Sequence, residues 1–133
     1  MIVIVGHGPS ILSGLGARID AHTVVRLKRG LLETHDRSCW GSRTDFICAR
    51  SPRFDHGHFP FWLSEYDYGG SKPTTGLSAV AEARKRFPDE EVAVIGFDRL
   101  MRPWEPDPPN TWFAHDKWAE HDLLKQWSVK ELT

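Results

Sequence analysis

Cysteine is scarce: the 133-residue chain has only Cys39 and Cys48. Two cysteines exclude a disulfide framework, and without a Cys-x-x-Cys pair there is no zinc or redox signature. Both are expected to be reduced and buried. Long apolar runs are also missing. The longest at the N-terminus is Ile2 to Val5, far short of a secretion signal or a membrane span. The chain is therefore expected to be cytoplasmic, with no membrane partner. Nor does one sign of charge dominate, since the formal net charge is −1. A field that small does not gather nucleic acid or an acidic membrane, although Arg26, Lys28, Arg29, Arg84, Lys85 and Arg86 leave room for a local basic patch. No segment repeats or is low in complexity.

What remains is an ordinary globular composition, 40% hydrophobic and 26% charged. The length predicts a single domain over residues 1–133. Six Trp and seven Phe are many for that length, and indoles that do not enter a core can stack on sugars or bases.

Met1 to Val5 is a continuous β-branched run, the pattern of a strand buried on both faces. A glycine turn, Gly6-His7-Gly8-Pro9-Ser10, leads into a short helix read over Ile11 to Arg18. Further strands are expected at Thr23 to Leu27, Asp45 to Ala49, Phe61 to Ser64 and Glu91 to Phe97. Gly30 to Arg43 reads as irregular, and Leu100 to Asn110, with four prolines, as a loop. Thr74-Thr75-Gly76 opens a helix that Pro88 and Asp89 stop. A closing helix runs from Asp116 to Trp127, with Trp118, Leu123, Leu124 and Trp127 as its apolar side. Strands alternating with helices predict an α/β, Rossmann-like three-layer fold, a mostly parallel sheet flanked by helices. Ligands of such sheets bind beyond the carboxyl ends of the strands.

Those ends carry the residues with chemistry. Gly6-His7-Gly8-Pro9-Ser10 lacks the third glycine of a dinucleotide fingerprint and the Gly-Lys-Ser/Thr of a P-loop. It is either a tight turn or an anion site at a helix start. Lys72-Pro73-Thr74-Thr75-Gly76 is a second helix start, with threonine as N-cap. His115, after the proline-rich loop, has the side chain best suited to a general base near neutral pH. Glu120, five residues on, can meet it only if His115 stands before the helix and Glu120 lies in its first turns. Asp55-His56-Gly57-His58 is an incomplete metal set, better read as a solvated loop.

Taken together these segments resemble the sialylmotifs of the sialyltransferase family. Gly6 to Ser10, Gly16-Ala17-Arg18-Ile19-Asp20, Val24-Val25-Arg26-Leu27-Lys28-Arg29 and Gly41-Ser42-Arg43-Thr44-Asp45 match the large motif. Lys72 to Leu77 followed by Val92 to Phe97 resemble the small motif, and His115 with Glu120 the very short His-x-x-x-x-Glu motif. The three occur in the family's order over most of the chain, with shorter spacers. The Gly-x-Gly-Pro-Ser turn is similar to that of the smaller bacterial enzymes.

The resemblance implies an inverting, metal-independent glycosyltransferase that uses a nucleotide sugar such as CMP-sialic acid and needs no further cofactor. Gly6, His7, Gly8, Pro9, Ser10, Arg26 and Lys28 would line the nucleotide site. Thr74, Thr75 and Gly76 would touch the donor's phosphate or carboxylate, and His115 and Glu120 would be catalytic. The acceptor would be a glycan or another hydroxyl compound. His7 and Lys28 stand where the family usually has asparagines. Lysine offers only donors and a charge, which suits a more phosphorylated donor such as a nucleoside diphosphate sugar. Two alternatives remain: a nucleotide-binding module without catalysis, and a glycosyltransferase acting on a nucleic-acid base.

Overall fold

The computed structural model describes residues 1–27, 36–51, 57–69, 72–107, 109 and 115–133. Six strands form one sheet: β1 Ile2–Val5, β2 Thr23–Leu27, β3 Phe46–Ala49, β4 Phe61–Leu63, β5 Val92–Ile95 and β6 Lys130–Glu131. Their order is β4-β3-β2-β1-β5-β6, and every pairing is parallel. The chain steps outward from β1 to β4, then returns to the other side of β1 for β5. The carboxyl ends of β1 and β5 therefore flank the switch point where such sheets open a crevice.

The continuous apolar strands follow from burial on both faces. Ile2, Ile4, Val25, Leu27, Val92 and Val94 face one core, with Leu77, Val80 and Ala83 of α3 (Thr75–Arg86) and Leu124 of α5 (Lys117–Gln126). Val3, Val5, Val24, Ala93 and Ile95 face the other, with Ile11, Ile19 and Trp40. This is the three-layer α/β arrangement expected from the sequence. Trp62 fills the far end of the first core against the Phe46 ring, 4.7 Å away.

Several local expectations need correction. The helix read over Ile11 to Arg18 is two pieces, a 3-10 turn at Pro9–Ser13 and α1 at Gly16–Asp20, divided by Gly14 in the left-handed region. The stretch read as irregular contains α2, Arg37–Trp40, capped by the Asp36 carboxylate. α4, Asp98–Met101, takes in the first two residues of the stretch read as a loop from Leu100, and β6 was not expected at all. Trp118 lies on the exposed side of α5, and the helix buries Glu120 and Leu124 instead. Cys48 is buried as expected, while Cys39 is only half-buried. No helix among the described residues is long and apolar enough to cross a membrane.

The turns after β1 and β5 touch. Gly96 adopts φ 76°, and a Cβ on it would lie 2.6 Å from the Gly6 carbonyl. Gly96→Ala should therefore destabilise the fold by more than the roughly 1–3 kcal/mol of left-handed strain alone, read as a lowered midpoint in urea unfolding. Wild-type stability in that variant would contradict the close approach.

Candidate active site

The first glycine turn is shaped by the chain itself. Pro9 opens the 3-10 turn, a position where its missing N–H costs nothing. The Asp98 carboxylate lies across this start. It accepts the Ser10 N–H at 3.1 and 3.0 Å and the Ser10 hydroxyl at 2.8 Å. The same hydroxyl accepts the Gly96 N–H at 2.9 Å. A Cβ on Gly8 would collide with the Asp98 carboxylate. Asp98 is held in turn by Arg102 at 2.9 Å, which also pairs with Glu131 of β6 at 2.9 Å. At this helix start the Ser10 N–H is thus met by a carboxylate of the protein itself.

The second helix start repeats the arrangement. Thr74 caps α3 by accepting the Leu77 N–H. Its hydroxyl donates to Glu120 at 2.5 Å, and its N–H points at both Glu120 oxygens at 3.3 and 3.2 Å. Glu120 is 0% exposed. Gly76 leaves room for the Phe97 ring, which would stand 2.8 Å from a Cβ there.

His115 stands just before α5, whose N-cap is Asp116. Its Nδ1 lies 2.5 Å from the Lys72 carbonyl oxygen. A carbonyl only accepts, so Nδ1 carries the hydrogen and Nε2 the lone pair. Nε2 accepts from the Arg50 guanidinium at 2.7 Å. His115 and Glu120 thus meet the same short segment, Lys72 to Thr74, from the two sides of the α5 start.

Between the glycine turns, α4 and the start of α3 lies a cavity of about 480 Å³. Gly6, His7, Gly8, Pro9, Thr74 and Gly76 line it. Ser10 and Thr75 do not. Arg26 also lies elsewhere: it is 2% exposed and binds the Arg43 carbonyl and the Thr44 hydroxyl. Strand side chains alternate between faces, so Leu27 lines the cavity in place of Arg26. Burial lowers the Arg26 pKa to about 10, opposed by Asp20. Lys28 lies outside the described residues, as do Asp55 and His56. Sequence reasoning missed Asp98, Arg99, Arg102 and Asp107 on the cavity wall. Their signal was present in Asp98-x-x-x-Arg102, an i,i+4 acid–base pair directly after the last strong strand.

The two helix-start carboxylates shift in opposite directions. Burial pushes Asp98 up, but the Ser10 N–H and hydroxyl and the Arg102 guanidinium outweigh it, and its pKa is lowered. Burial dominates at Glu120 and raises it, against the Thr74 hydrogen bonds and the Arg99 charge, which favour the ionised form.

A parallel sheet with a crevice at its switch point defines a Rossmann-like α/β fold. No protein-family model matches the chain, and no curated protein does. Among solved structures it is similar to a mammalian sialyltransferase, and equally to one in complex with Gal-beta-1-3GalNAc-ortho-nitrophenol. In both cases the TM-score is 0.61 at 16% identity, over 98% of this chain and 68% of the other. The chain has the sialyltransferase fold.

The pKa shifts fix a sign for the pH dependence of stability. Between the usual value of 4.5 and its raised folded value, Glu120 holds its proton more tightly folded than unfolded. Its contribution is fully present below 4.5 and is lost as pH rises through the folded pKa. Asp98 acts oppositely, stabilising above its usual 3.8 and losing that contribution as pH falls. Glu120→Gln should therefore gain stability relative to wild type as pH rises from 4.5, measured by urea unfolding across a pH series. A pH-independent difference would show that Glu120 does not titrate in that window.

Proposed function

We propose that the chain is an inverting glycosyltransferase of the sialyltransferase type. It takes a sugar from a nucleotide-sugar donor, CMP-sialic acid or a relative, and His115 is its general base. The observation that carries this reading is the fixed tautomer of His115. Its Nδ1–H is committed to the Lys72 carbonyl, so the lone pair stays on Nε2. Lys72 is two residues from Thr74, which lines the cavity. The sialyltransferase fold supports the class, as does the resemblance to the family's motifs.

In the reaction, Nε2 takes the proton from an acceptor hydroxyl. The acceptor oxygen forms its bond to the anomeric carbon as the bond from that carbon to the nucleotide phosphate oxygen breaks. The nucleotide leaves with the electron pair, and the configuration inverts. Glu120 is a positioning residue in this scheme, because it meets Thr74 rather than the cavity. His7, exposed on the cavity rim, would face the nucleotide. The 133 residues would act as one cytoplasmic domain, a reading that two free cysteines support.

A screen of nucleotides and nucleotide sugars by thermal shift identifies the donor, since a ligand at a hundredfold its Kd adds about 2.7 kcal/mol. With that donor, His115→Ala should lower turnover by roughly 10²–10⁴-fold and leave nucleotide binding by calorimetry nearly unchanged. Unchanged turnover would remove His115 from the role of base. A bound nucleotide with no transfer or hydrolysis would favour a binding module.

A further inference from the structure

Arg50 has no part in the proposed chemistry, yet it occupies the atom on which that chemistry depends. It follows directly after β3, and its side chain is exposed. Its guanidinium lies 2.7 Å from His115 Nε2. Guanidinium only donates, so it consumes the lone pair that would accept a hydroxyl proton. While it stays, a proton cannot reach Nε2, and an imidazolium there would face a second cation. Among the described residues no carboxylate pairs with Arg50, so its partner there is a neutral ring nitrogen.

From this geometry we propose that Arg50 is a latch on His115, opened by an oxyanion of the substrate. The inference rests on His115 being the base. A guanidinium prefers a carboxylate or phosphate, which it can grip with two parallel bonds in which donor and acceptor are both charged, over a single bond to a neutral ring nitrogen. A substrate group of that kind beside His115 draws Arg50 off Nε2 and frees the lone pair. A neutral compound leaves the latch closed. Arg50 would thus be a specificity-determining residue that couples an acidic group on the substrate to the availability of the base. A carboxylate on a sugar and a phosphate of a nucleotide share this chemistry.

The test reads Nε2 directly, without turnover. Diethyl pyrocarbonate acylates the unprotonated imidazole nitrogen, and the rate at His115 is followed by mass spectrometry of its peptide. Arg50→Ala should react about tenfold faster than wild type or more, given the worth of a hydrogen bond to a charged donor. Arg50→Gln should behave similarly, which guards against one variant folding badly. In wild type, acetate or inorganic phosphate, at constant ionic strength set with chloride, should raise the rate toward that of Arg50→Ala. Neither anion should accelerate the variants. Response to acetate assigns the carboxylate as the source, and response to phosphate the phosphate. Equal rates in wild type and both variants would overturn the latch, as would a wild-type rate that neither anion moves. The result is independent of the turnover of His115→Ala, so the latch and the base can fail separately.

Discussion

A carboxylate with no access to solvent, held by one threonine, ties the two halves of the site together. Glu120 comes from α5 and Thr74 from the start of α3, 46 residues apart. Burying a charge is costly unless hydrogen bonds replace the lost water. Here the Thr74 hydroxyl and N–H supply them. The same threonine caps α3, so the N-terminus of one helix and the first turn of another form a single unit. His115 precedes that turn by a few residues and reaches the Lys72 carbonyl beside it. Releasing Glu120 would cut the bond that joins the start of α3 to the first turn of α5.

Asp98 solves a similar problem on the other side of the cavity. Both helix starts at this edge are already met by carboxylates of the protein. The donors that an incoming anion would normally find at a helix start are therefore partly spoken for. What the cavity offers instead is an apolar wall of Leu27, Phe97 and Leu100 together with Arg99 and Arg102. Those arginines are engaged with carboxylates too, Arg99 with Asp107 and Arg102 with Asp98.

The sheet was legible because its strands are buried on both faces. Val3, Val24 and Ile95 needed no alternation to be found, and β2 matches its predicted bounds. The Thr74 cap was legible from one residue type in one place. The short elements were not. Single-turn helices such as α2 and α4 are too brief to show a period, and β6 is two residues whose only signature is pairing with β5. The glycines were legible as turns but not in their purpose. Gly8 and Gly76 make room for Asp98 and Phe97, partners that local sequence cannot reveal. Glu120 was found as a motif residue, while its burial depended on Thr74 far along the chain. Arg26 was misplaced for a simpler reason: the strand's alternation sends it to the face opposite Leu27.

The contact between the turns at Gly6 and Gly96 also bears on how the molecule forms. β1 pairs with β2 some twenty residues on, but with β5 only after ninety. The bonds from Ser10 to Asp98 close a comparable loop. Closing long loops spends chain entropy before it gains contacts, and non-local topologies of this kind fold slowly. Strands β1 to β3 pair through shorter loops. The crevice needs the longer closure, because one of its walls arrives with β5 and α4. The cavity is thus complete only when those distant segments have joined, and any ligand it holds can stabilise only a chain already folded.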